Sequence, residues 1–331
     1  MLYPTKKAVL VYRDDHDKQR FDTLSGKPSE RLYKIEEEIC YTGNSFLAIK
    51  DRLEGYEAIF VAGIDSNCRN GIAKYCMENS IAGYFVPHIG DVIMQGAMHI
   101  QSFDFPILYL SRKHLRPEYK YLKRFFDFVL SFIGLIVLGP FMLILAVIIR
   151  LSDGGPAIYK QKRLTINGTE FVIYKYRSMR VDAENDGVAR LSSGEDDDRV
   201  TSIGKVLRKY RLDELPQLIN ILKGDMSFVG PRPERPEIAK EYYESLPGFA
   251  LRLQVKAGLT GYAQVYGRYN TDPYEKLQFD LFYINHMSIF TDIRLLFATL
   301  GILLSPKSTE GVKANRENSS TMPENRNARS R

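Results

Sequence analysis

Cysteine is scarce in this sequence of 331 residues: Cys40, Cys68 and Cys76 are the only three, and all lie in its first third. They form no CxxC pair, so the sequence indicates neither a disulfide framework nor a zinc site, and a reducing compartment is the simplest interpretation. The first strand-like run, residues 7–12, continues into RDD and lacks the GxGxxG turn. A disulfide-stapled secreted domain and dinucleotide binding of the usual type are therefore both unsupported.

Basic residues outnumber acidic ones, 46 to 40, which gives a formal net charge of +6. A basic excess can serve nucleic acid, anionic lipid or phosphorylated substrates. Here the basic residues gather beside an apolar segment instead of following an aromatic-lined groove. The pattern favours lipid and phosphate as partners and gives no support to nucleic-acid binding.

One long apolar run, residues 125–151, has Gly139 and Pro140 in its middle. A helix rises about 1.5 Å per residue, so an unbroken helix of this length would cross a hydrocarbon core of about 30 Å. Pro140 lacks the N–H of a helical hydrogen bond, which predicts a kink or break that leaves each half too short to cross alone. The basic residues on its two sides are Arg112, Lys113, Arg116, Lys120, Lys123, Arg124, Arg150, Lys160, Lys162 and Arg163.

Because basic flanks stay in the cytoplasm, the two collars place both ends of the run on the same side. We interpret the run as a re-entrant helix-break-helix that enters and leaves on the cytoplasmic face. A kinked single span is the alternative. A buried core helix is disfavoured, since soluble core helices rarely carry so many consecutive apolar residues between two basic collars.

The sequence before the run predicts an α/β domain over residues 1–115. Strand-like runs at residues 7–12, 56–63, 82–88 and 105–111 alternate with helical stretches. This alternation predicts a small parallel, Rossmann-like sheet. Without a dinucleotide fingerprint, a regulatory or structural role is the preferred interpretation.

The basic collar and the re-entrant helix occupy residues 116–151. An α+β domain is predicted over residues 152–304, with amphipathic helices at the membrane interface. Residues 305–331 are rich in Ser, Asn, Arg and Glu without periodicity, and they predict a disordered tail.

Within the α+β domain, residues 154–180 predict two strands joined by a turn at Asn167-Gly168, a common hairpin signal. Residues 293–304 are apolar but too short to span, so they fit either an interfacial helix or core packing. Further helical patterns occupy residues 202–222, 235–245 and 274–286.

Two adjacent carboxylates, Asp213 and Glu214, lie among cations in the run RKYRLDELPQL. Neighbouring residues on a helix point about 100° apart, so the two acids cannot face one atom equally and divided roles are implied. One acid can attack or orient while the other holds Mg²⁺, which takes one or two protein carboxylates plus phosphate oxygens and water. Pro216 fits a first helical turn or a kink, which places the acids near a helix end. A solvated, salt-bridged surface is the alternative.

Further cations lie in stretches that could present them to phosphate. In the strand-like run FVIYKYR, a period of two puts Lys175 and Arg177 on one face. Two prolines stiffen the backbone around Arg232 in GPRP, which suits bidentate phosphate binding and equally suits a rigid turn. The glycines of residues 258–268 allow the backbone to approach a ligand, or serve a structural loop.

These stretches, taken in order, resemble the bacterial sugar transferase family, the monotopic polyprenyl-phosphate sugar-1-phosphate transferases that start cell-surface glycan synthesis. The resemblance covers about residues 119–304, and the first domain is similar to the α/β domain ahead of the catalytic part in longer members. The blocks that carry it are KRFFDFVLSFIGLIVLGP, GGPAIYKQKR, FVIYKYRSMR, DDRVTSIGKVLRKYRLDELPQLINILKGDMSFVGPRP, GLTGYAQVYGR and DLFYINHMSIFTDIRLL. Gly139 stands where the family usually has serine, and Ala257 where it usually has proline; the second departure predicts a looser loop.

The resemblance implies that Asp213 is a nucleophile that attacks the sugar-linked phosphorus of a UDP-sugar, so that UMP leaves. A carboxylate of ordinary pKa is ionised at neutral pH and needs no general base for this step. Glu214, with Asp213, would hold the cofactor Mg²⁺, with Mn²⁺ as the alternative ion. The cations implied to contact phosphate or carboxylate are Lys175, Arg208, Arg232, Arg177 and Arg268.

In the second implied step, undecaprenyl phosphate attacks the phosphosugar-enzyme, which begins exopolysaccharide, capsule or other surface glycan synthesis. The resemblance places the protein in membrane lipid at the bacterial inner membrane, with its catalytic domain facing the cytoplasm, and it allows a homodimer. The alternative is a membrane-anchored, ligand-sensing scaffold with an inert transferase domain, which the intact acid pair and its cations disfavour.

Overall fold

The structure of the chain is a computed structural model. It describes residues 5–24, 32–102, 105–111, 117–181, 183, 197–267 and 272–303. The chain divides into two compact units, Met1–Gln95 and Gly96–Arg331. The predicted tail at residues 305–331 lies outside the described residues, as does the upstream part of the basic collar at residues 112–116.

The first unit is built on a parallel four-stranded sheet of order β2-β1-β3-β4. Val9 and Val11 pack with side chains of α2 on one face, while Ala8 and Leu10 pack with Phe21 of α1 on the other. Helices therefore cover both faces, as apolar parallel strands require. The elements are β1 Lys6–Tyr12, α1 Asp15–Leu24, β2 Tyr33–Cys40, β3 Ala58–Ala62, α2 Ser66–Glu78, β4 Ala82–Phe85 and α3 Ile89–Gln95.

Three of the four predicted strands correspond to β1, β3 and β4, but the strand predicted at residues 105–111 is not part of this sheet. It forms β6, Phe105–Tyr109, which pairs antiparallel with β5, Met98–Ser102. Only two residues connect the pair, and so short a link permits only antiparallel pairing. Strand β2 was not predicted because its sequence YKIEEEIC is highly charged; it lies at a sheet edge, where charge is tolerated.

The apolar run belongs to one long helix, α4, Pro117–Asp153. By length and hydropathy α4 is the one candidate membrane helix in the described part of the chain, and only 11% of its most apolar stretch is buried. The low burial argues against a soluble core helix. The buried residues Asp127, Ser131, Met142 and Ile149 recur at helical spacing, so one stripe of α4 packs on the rest of its unit.

Of the kink or break predicted at Pro140, the break is absent, because α4 continues as one helix through Gly139 and Pro140. Proline removes the hydrogen bond to the carbonyl of Ile136, but Leu138 and Met142 on either side pack in one apolar cluster. This packing holds the turns that flank the proline. A re-entrant path therefore requires a bend within a continuous helix.

The rest of the second unit combines two small sheets with six helices among its described residues. The predicted hairpin is confirmed: β7, Ile158–Leu164, pairs antiparallel with β8, Glu170–Tyr176, and Asn167 and Gly168 adopt left-handed φ of 60° and 74° at the turn. The parallel pair is β9 Ser227–Val229 and β10 Gly258–Thr260. The helices are α5 Ser202–Lys209, α6 Gln217–Lys223, α7 Pro236–Ser245, α8 Tyr262–Tyr266, α9 Pro273–Asn285 and α10 Ile289–Leu303.

Helices predicted at residues 235–245 and 274–286 match α7 and α9, whereas the pattern at residues 202–222 is two helices separated by a turn. Helix α10 covers most of the apolar stretch at residues 293–304. It buries Asp292 and Leu295. Its other face exposes the apolar side chains of Phe290, Ile293, Phe297 and Leu300.

Candidate active site

The acid pair lies in the tight turn between α5 and α6. Arg211 has a left-handed φ of 52°, which is costly for a residue with a side chain, and a 3₁₀ turn, Leu212–Glu214, follows it. Pro216 then caps the beginning of α6. The acids therefore lie just ahead of a helix, as the position of the proline predicts.

Apolar side chains on either side of the acid pair fix the orientation of this turn. Leu212 and Leu215 pack in one cluster with Met142 and Ile149 of α4. In a 3₁₀ turn, residues three apart lie on the same side. The two acids between these leucines consequently project away from α4, toward β8.

Glu214 is buried, and three cations surround its carboxylate. Oε1 lies 2.9 Å from Nη2 of Arg232 and 3.7 Å from Nζ of Lys175. Oε2 lies 3.9 Å from Nη1 of Arg211. Burial alone would raise the pKa of Glu214, but the charges of the three cations and the hydrogen bond from Arg232 outweigh it and lower the pKa to about 2. Glu214 is therefore ionised at physiological pH.

Asp213 differs from its neighbour. It is partly exposed, and within the described residues no hydrogen bond or ion pair holds its carboxylate. Burial, and then the negative charge of Glu214, raise the pKa of Asp213, although nearby cations oppose the rise. This corrects the expectation of an ordinary pKa for Asp213. Carboxylates whose surroundings push their pKa values apart suit divided chemical roles, and Asp213 is the acid available to meet a substrate.

Lys175 reaches the acid pair from β8. Its side chain is four-fifths buried, and its Nζ faces Oε1 of Glu214. Burial lowers the pKa of Lys175 to about 8, while the charge of Glu214 opposes the decrease. The ammonium group is therefore close to titrating at physiological pH.

For the phosphorylated donor that the sequence resemblance implies, we expect kcat/KM to fall as pH rises through about 8, because kcat/KM reports groups of the free enzyme and the neutral amine of Lys175 attracts phosphate less. In Lys175→Arg the side chain stays charged, so the alkaline limb should move upward by more than one pH unit. Lys162→Arg, in the neighbouring strand, is the matched control and should keep the wild-type profile. An unchanged alkaline limb in Lys175→Arg would contradict this assignment.

Arg232 is presented by an extended segment that follows β9. Pro231 and Pro233 restrict the backbone on both sides of it. The carbonyl of Pro231 accepts a hydrogen bond of 2.8 Å from the first N–H of β10, and the carbonyl of Arg232 accepts one of 2.8 Å from Nη2 of Arg252. The segment is therefore held at two successive carbonyls while the Arg232 side chain reaches the second acid.

Arg252 itself belongs to a buried charge network. Its side chain is 3% exposed, and its Nε donates a hydrogen bond of 2.8 Å to Oδ2 of Asp280. Its Nη1 lies 3.6 Å from Glu234, which Lys276 also approaches at 3.5 Å. Burial raises the pKa of Asp280 to about 6, although Arg252 opposes the rise. The network holds Arg252 in place, and Arg252 in turn holds the carbonyl of Arg232 by a hydrogen bond.

The other predicted cations are placed differently. Nε of Arg208, at the end of α5, donates to Oγ of Ser178 at 2.8 Å, and its charge acts on Asp213. Arg177 follows the last residue of β8 and lies over Gly155, where a Cβ would come 1.7 Å from its Nη1. The cations nearest Glu214 are thus Arg232, Lys175 and Arg211, and Arg268 lies outside the described residues.

Two cations of the site were missed in the sequence. Arg211 lies three residues before Glu214, a spacing that brings side chains together in a helical turn. Arg163 of β7 lines a small cavity with Lys175 and Arg232. Strand parity was the available signal, because Arg163 lies on the same face of the hairpin as Lys175.

In the glycine-containing loop of residues 258–268, the backbone of Gly258 lies close to the backbone of Gly230. A Cβ on Gly258 would lie 2.1 Å from the nitrogen of Gly230, so these glycines allow β9 and β10 to approach closely. Ala257, where a proline is usual, donates its N–H to Oγ1 of Thr165 at 3.1 Å. The looser loop expected at Ala257 is not observed, because the N–H that a proline would lack makes a hydrogen bond.

Sequence comparison identifies the class of protein to which this site belongs. A family model described as bacterial sugar transferase matches residues 118–306, more than half of the chain. The chain belongs to the bacterial sugar transferase family.

The chain also matches individual relatives over part of its length. It is 41% identical, over 63% of this chain and 48% of the relative, to "Galactosyl transferase CpsE" of Streptococcus agalactiae serotype III (strain NEM316). It is 39% identical, over 62% of this chain and 44% of the relative, to "UDP-glucose:undecaprenyl-phosphate glucose-1-phosphate transferase" of Escherichia coli (strain K12). It is 38% identical, over 57% and 45%, to "UDP-N-acetylgalactosamine-undecaprenyl-phosphate N-acetylgalactosaminephosphotransferase" of Aeromonas hydrophila. The chain spans about half the length of these relatives.

Proposed function

We propose that the chain transfers a sugar 1-phosphate from a UDP-sugar to undecaprenyl phosphate, releasing UMP, as the first step of surface glycan synthesis. The observation that carries the proposal is the asymmetry of the acid pair. The carboxylate of Glu214 forms ion pairs with three cations, while that of Asp213 has no partner among the described residues. The names of the relatives, which include a UDP-glucose and a UDP-N-acetylgalactosamine transferase acting on undecaprenyl phosphate, support the same reaction class.

The first half-reaction is a displacement at phosphorus. A carboxylate oxygen of Asp213 attacks the sugar-linked phosphorus and forms an acyl phosphate, and the bond from that phosphorus to the bridging oxygen breaks. UMP leaves with the bridging oxygen. Lys175 and Arg232 attract the diphosphate and offset the charge that develops on its oxygens, because phosphoryl transfer depends mostly on positioning and electrostatics.

The second half-reaction reverses the attachment to the protein. A phosphate oxygen of undecaprenyl phosphate attacks the same phosphorus, and the bond to Asp213 breaks, which restores the free carboxylate. The product is undecaprenyl diphospho-sugar. Because one product leaves before the second substrate reacts, the kinetics are ping-pong.

The donor set at the acid pair fits Mg²⁺ or Mn²⁺. Such an ion takes one or two protein carboxylates and completes its coordination with phosphate oxygens and water. Asp213 is unpaired among the described residues, and Oε2 of Glu214 has only Arg211 near it, at 3.9 Å. Glu214, with Asp213, would hold the ion. When bound, the ion would supply Lewis-acid stabilisation of charge on the diphosphate.

The substrates require a site at the membrane surface, since the donor is water-soluble and the acceptor carries a lipid tail. Nη1 and Nη2 of Arg124, early in α4, donate to the carbonyls of Ile221 and Leu222, and Ile149, near its end, packs in the same unit. Contacts of both ends with one unit support the proposed re-entrant path, with the catalytic part on the cytoplasmic face of the inner membrane. The exposed apolar face of α10 supports its placement as an interfacial helix.

The domain plan is part of the same proposal: a Rossmann-like domain of regulatory or structural role at residues 1–115, the membrane segment at 116–151 and the catalytic domain at 152–304. The parallel sheet with helices on both faces supports the first. An inert, ligand-sensing scaffold is the alternative, and the intact acid pair argues against it.

Cysteines introduced at Lys120 and Lys160 should react with an impermeant maleimide from the same side of the membrane, because they flank the two ends of the apolar segment. The substitutions are made in a Cys40→Ser background, since Cys40 is the exposed native cysteine and Cys68 and Cys76 are buried. Both should be labelled in inverted vesicles and protected in intact spheroplasts. Labelling from opposite faces would establish a single span instead.

The proposed activity is tested with the purified full chain in detergent, Mg²⁺, undecaprenyl phosphate and a panel of UDP-sugars, with UMP release as the measurement. We expect release with one or a few UDP-sugars, dependence on the divalent ion, and a lipid-linked product that contains the sugar. Absence of UMP release across UDP-glucose, UDP-galactose and their N-acetylated forms would favour the inert scaffold.

A further inference from the structure

A second concave surface opens between α6 and the face of the hairpin opposite the small cavity that Arg163, Lys175 and Arg232 line. It has a volume of about 390 Å³ and is lined by the six residues that we call the lysine groove: Ile158, Lys160, Tyr174, Pro216, Ile219 and Lys223. Successive residues of β8 point to opposite faces, so Tyr174 faces this groove while Lys175 faces the small cavity on the other side. The proposed reaction uses none of these six side chains.

The lysine groove combines two ammonium groups with an apolar floor. Ile158, Pro216 and Ile219 form the floor, and Lys160 and Lys223 approach it from the hairpin and from α6. Within the described residues, neither lysine is paired with a carboxylate. The groove therefore presents two ammonium groups without an ion-pair partner beside exposed apolar surface, and Asp225 acts on Lys223 only as a nearby charge.

Ordinary surface chemistry accounts for only part of this arrangement. A lysine in the last turn of a helix interacts favourably with the helix dipole, which explains Lys223. Nζ of Lys223 also donates to the hydroxyl of Tyr174 at 3.1 Å and lies 5.0 Å from the centre of its ring. Neither effect explains a second unpaired lysine on the facing strand, or the exposed side chain of Ile219 between the two.

The groove is continuous with the membrane segment at both of its ends. At the apolar end, Ile158 packs in the cluster that contains Met142 and Ile149 of α4. At the cationic end, the residue before Lys223 accepts a 2.7 Å hydrogen bond from Arg124, where the apolar run begins. A membrane phospholipid has the same order of chemistry, with phosphate at the headgroup level and acyl chains beside it.

Two other ligands fit less well. The cationic end lies at the end of α6, while the acid pair precedes its beginning, a separation of about 10 Å along a helix of seven residues. An acceptor phosphate held by both lysines would be too far from Asp213 to attack a phosphorus there. A sugar nucleotide would place its base or its sugar on the apolar floor, which offers them no hydrogen bonds.

We propose that the lysine groove binds an anionic phospholipid of the surrounding bilayer, with its phosphate between Lys160 and Lys223 and an acyl chain along Ile219 and Ile158. The lipid braces α6, the helix that follows the acid pair, against the hairpin. The proposal rests on the membrane placement of α4 given above, and it adds a lipid site that is separate from the acceptor site.

The test uses the full chain in phosphatidylcholine nanodiscs that contain a phosphatidylglycerol analogue with a photoreactive diazirine in its acyl chain. Mass spectrometry of the digested protein should find cross-links in residues 158–174 and 216–223. Lys160→Gln/Lys223→Gln should weaken this labelling about 30-fold, the effect of two lysines at an anionic surface. The charge-matched control is Lys162→Gln/Lys240→Gln, which removes a lysine that Glu170 already pairs and an exposed one, and it should label as the wild type does.

Three results would overturn the proposal: equal labelling by the phosphatidylcholine analogue, unchanged labelling in the double glutamine variant, or displacement of the label by equimolar undecaprenyl phosphate. The last result would assign the groove to the acceptor. Labelling needs no turnover, so UMP release in the same nanodiscs reports independently on the proposed function. A failure of the lipid site and a failure of the enzymatic proposal are therefore distinguishable.

Discussion

Asp213→Asn is expected to lower UMP release by about 10⁴-fold or more, the scale seen when a covalent nucleophile is removed. An amide nitrogen or oxygen is a poor nucleophile at phosphorus. Glu214 cannot substitute, because Arg232, Lys175 and Arg211 hold its carboxylate and its pKa is about 2. The measurement is UMP release at saturating donor, with and without acceptor.

The control for this variant is Asp198→Asn, which changes an exposed carboxylate of the same unit and should leave UMP release unchanged. The thermal unfolding midpoint of Asp213→Asn should be at or above that of the wild type, because the change relieves repulsion with Glu214. Full activity in a folded Asp213→Asn protein would exclude Asp213 as the nucleophile.

Arg252→Met is expected to destabilise the second unit by about 3–5 kcal/mol, because it leaves the buried carboxylate of Asp280 without its partner. It also removes the hydrogen bond to the carbonyl of Arg232. Activity should therefore fall even at temperatures where the protein is folded. Calorimetry in detergent measures the first effect, and UMP release at low temperature measures the second.

A double variant separates charge from packing. Arg252→Met/Asp280→Leu should recover part of the lost stability, because an apolar pair of similar volume often replaces a buried ion pair without loss. The single variant should also be less destabilised at pH 5 than at pH 8. Removal of Arg252 raises the pKa of Asp280 above its folded value of about 6, and a protonated carboxyl needs no counter-charge. Equal stability of both variants at both pH values would contradict the network.

Local sequence patterns were sufficient to predict the elements that carry the candidate active site. The hairpin of β7 and β8 follows from alternation and from Asn167-Gly168, and Pro216 correctly places the acids ahead of a helix. Strand parity also predicts that Lys175 lies on the face opposite Tyr174. Each of these features depends on residues within a few positions of one another.

Features that depend on distant residues could not be predicted. The pair of Arg252 and Asp280 joins positions 28 residues apart, and it supports the carbonyl of Arg232 a further 20 residues away in sequence. The left-handed Arg211, which turns the chain before the acid pair, has no sequence signal because the residue is not a glycine. Arginine disfavours a left-handed φ, but packing of Leu212 and Leu215 on either side of the acids outweighs this preference.

The conformation of the membrane segment also depends on contacts with distant residues and could not be predicted from local sequence. Proline predicts the loss of one hydrogen bond and with it a kink or break, yet α4 remains helical because Leu138 and Met142 beside Pro140 pack on the rest of their unit. The strand predicted at residues 105–111 was assigned to the wrong sheet for a related reason, since an apolar run does not specify its partner strand.

The most direct test of the mechanism is to trap the covalent intermediate. The full chain is mixed with Mg²⁺ and a UDP-sugar labelled with ³²P at the sugar-linked phosphorus, without acceptor, and is then quenched and digested. The proposed mechanism predicts that UMP is released in an amount equal to the enzyme, that the label lies on the peptide containing Asp213, and that undecaprenyl phosphate removes it. Turnover in the presence of acceptor without any labelled protein, or a label on another residue, would contradict it.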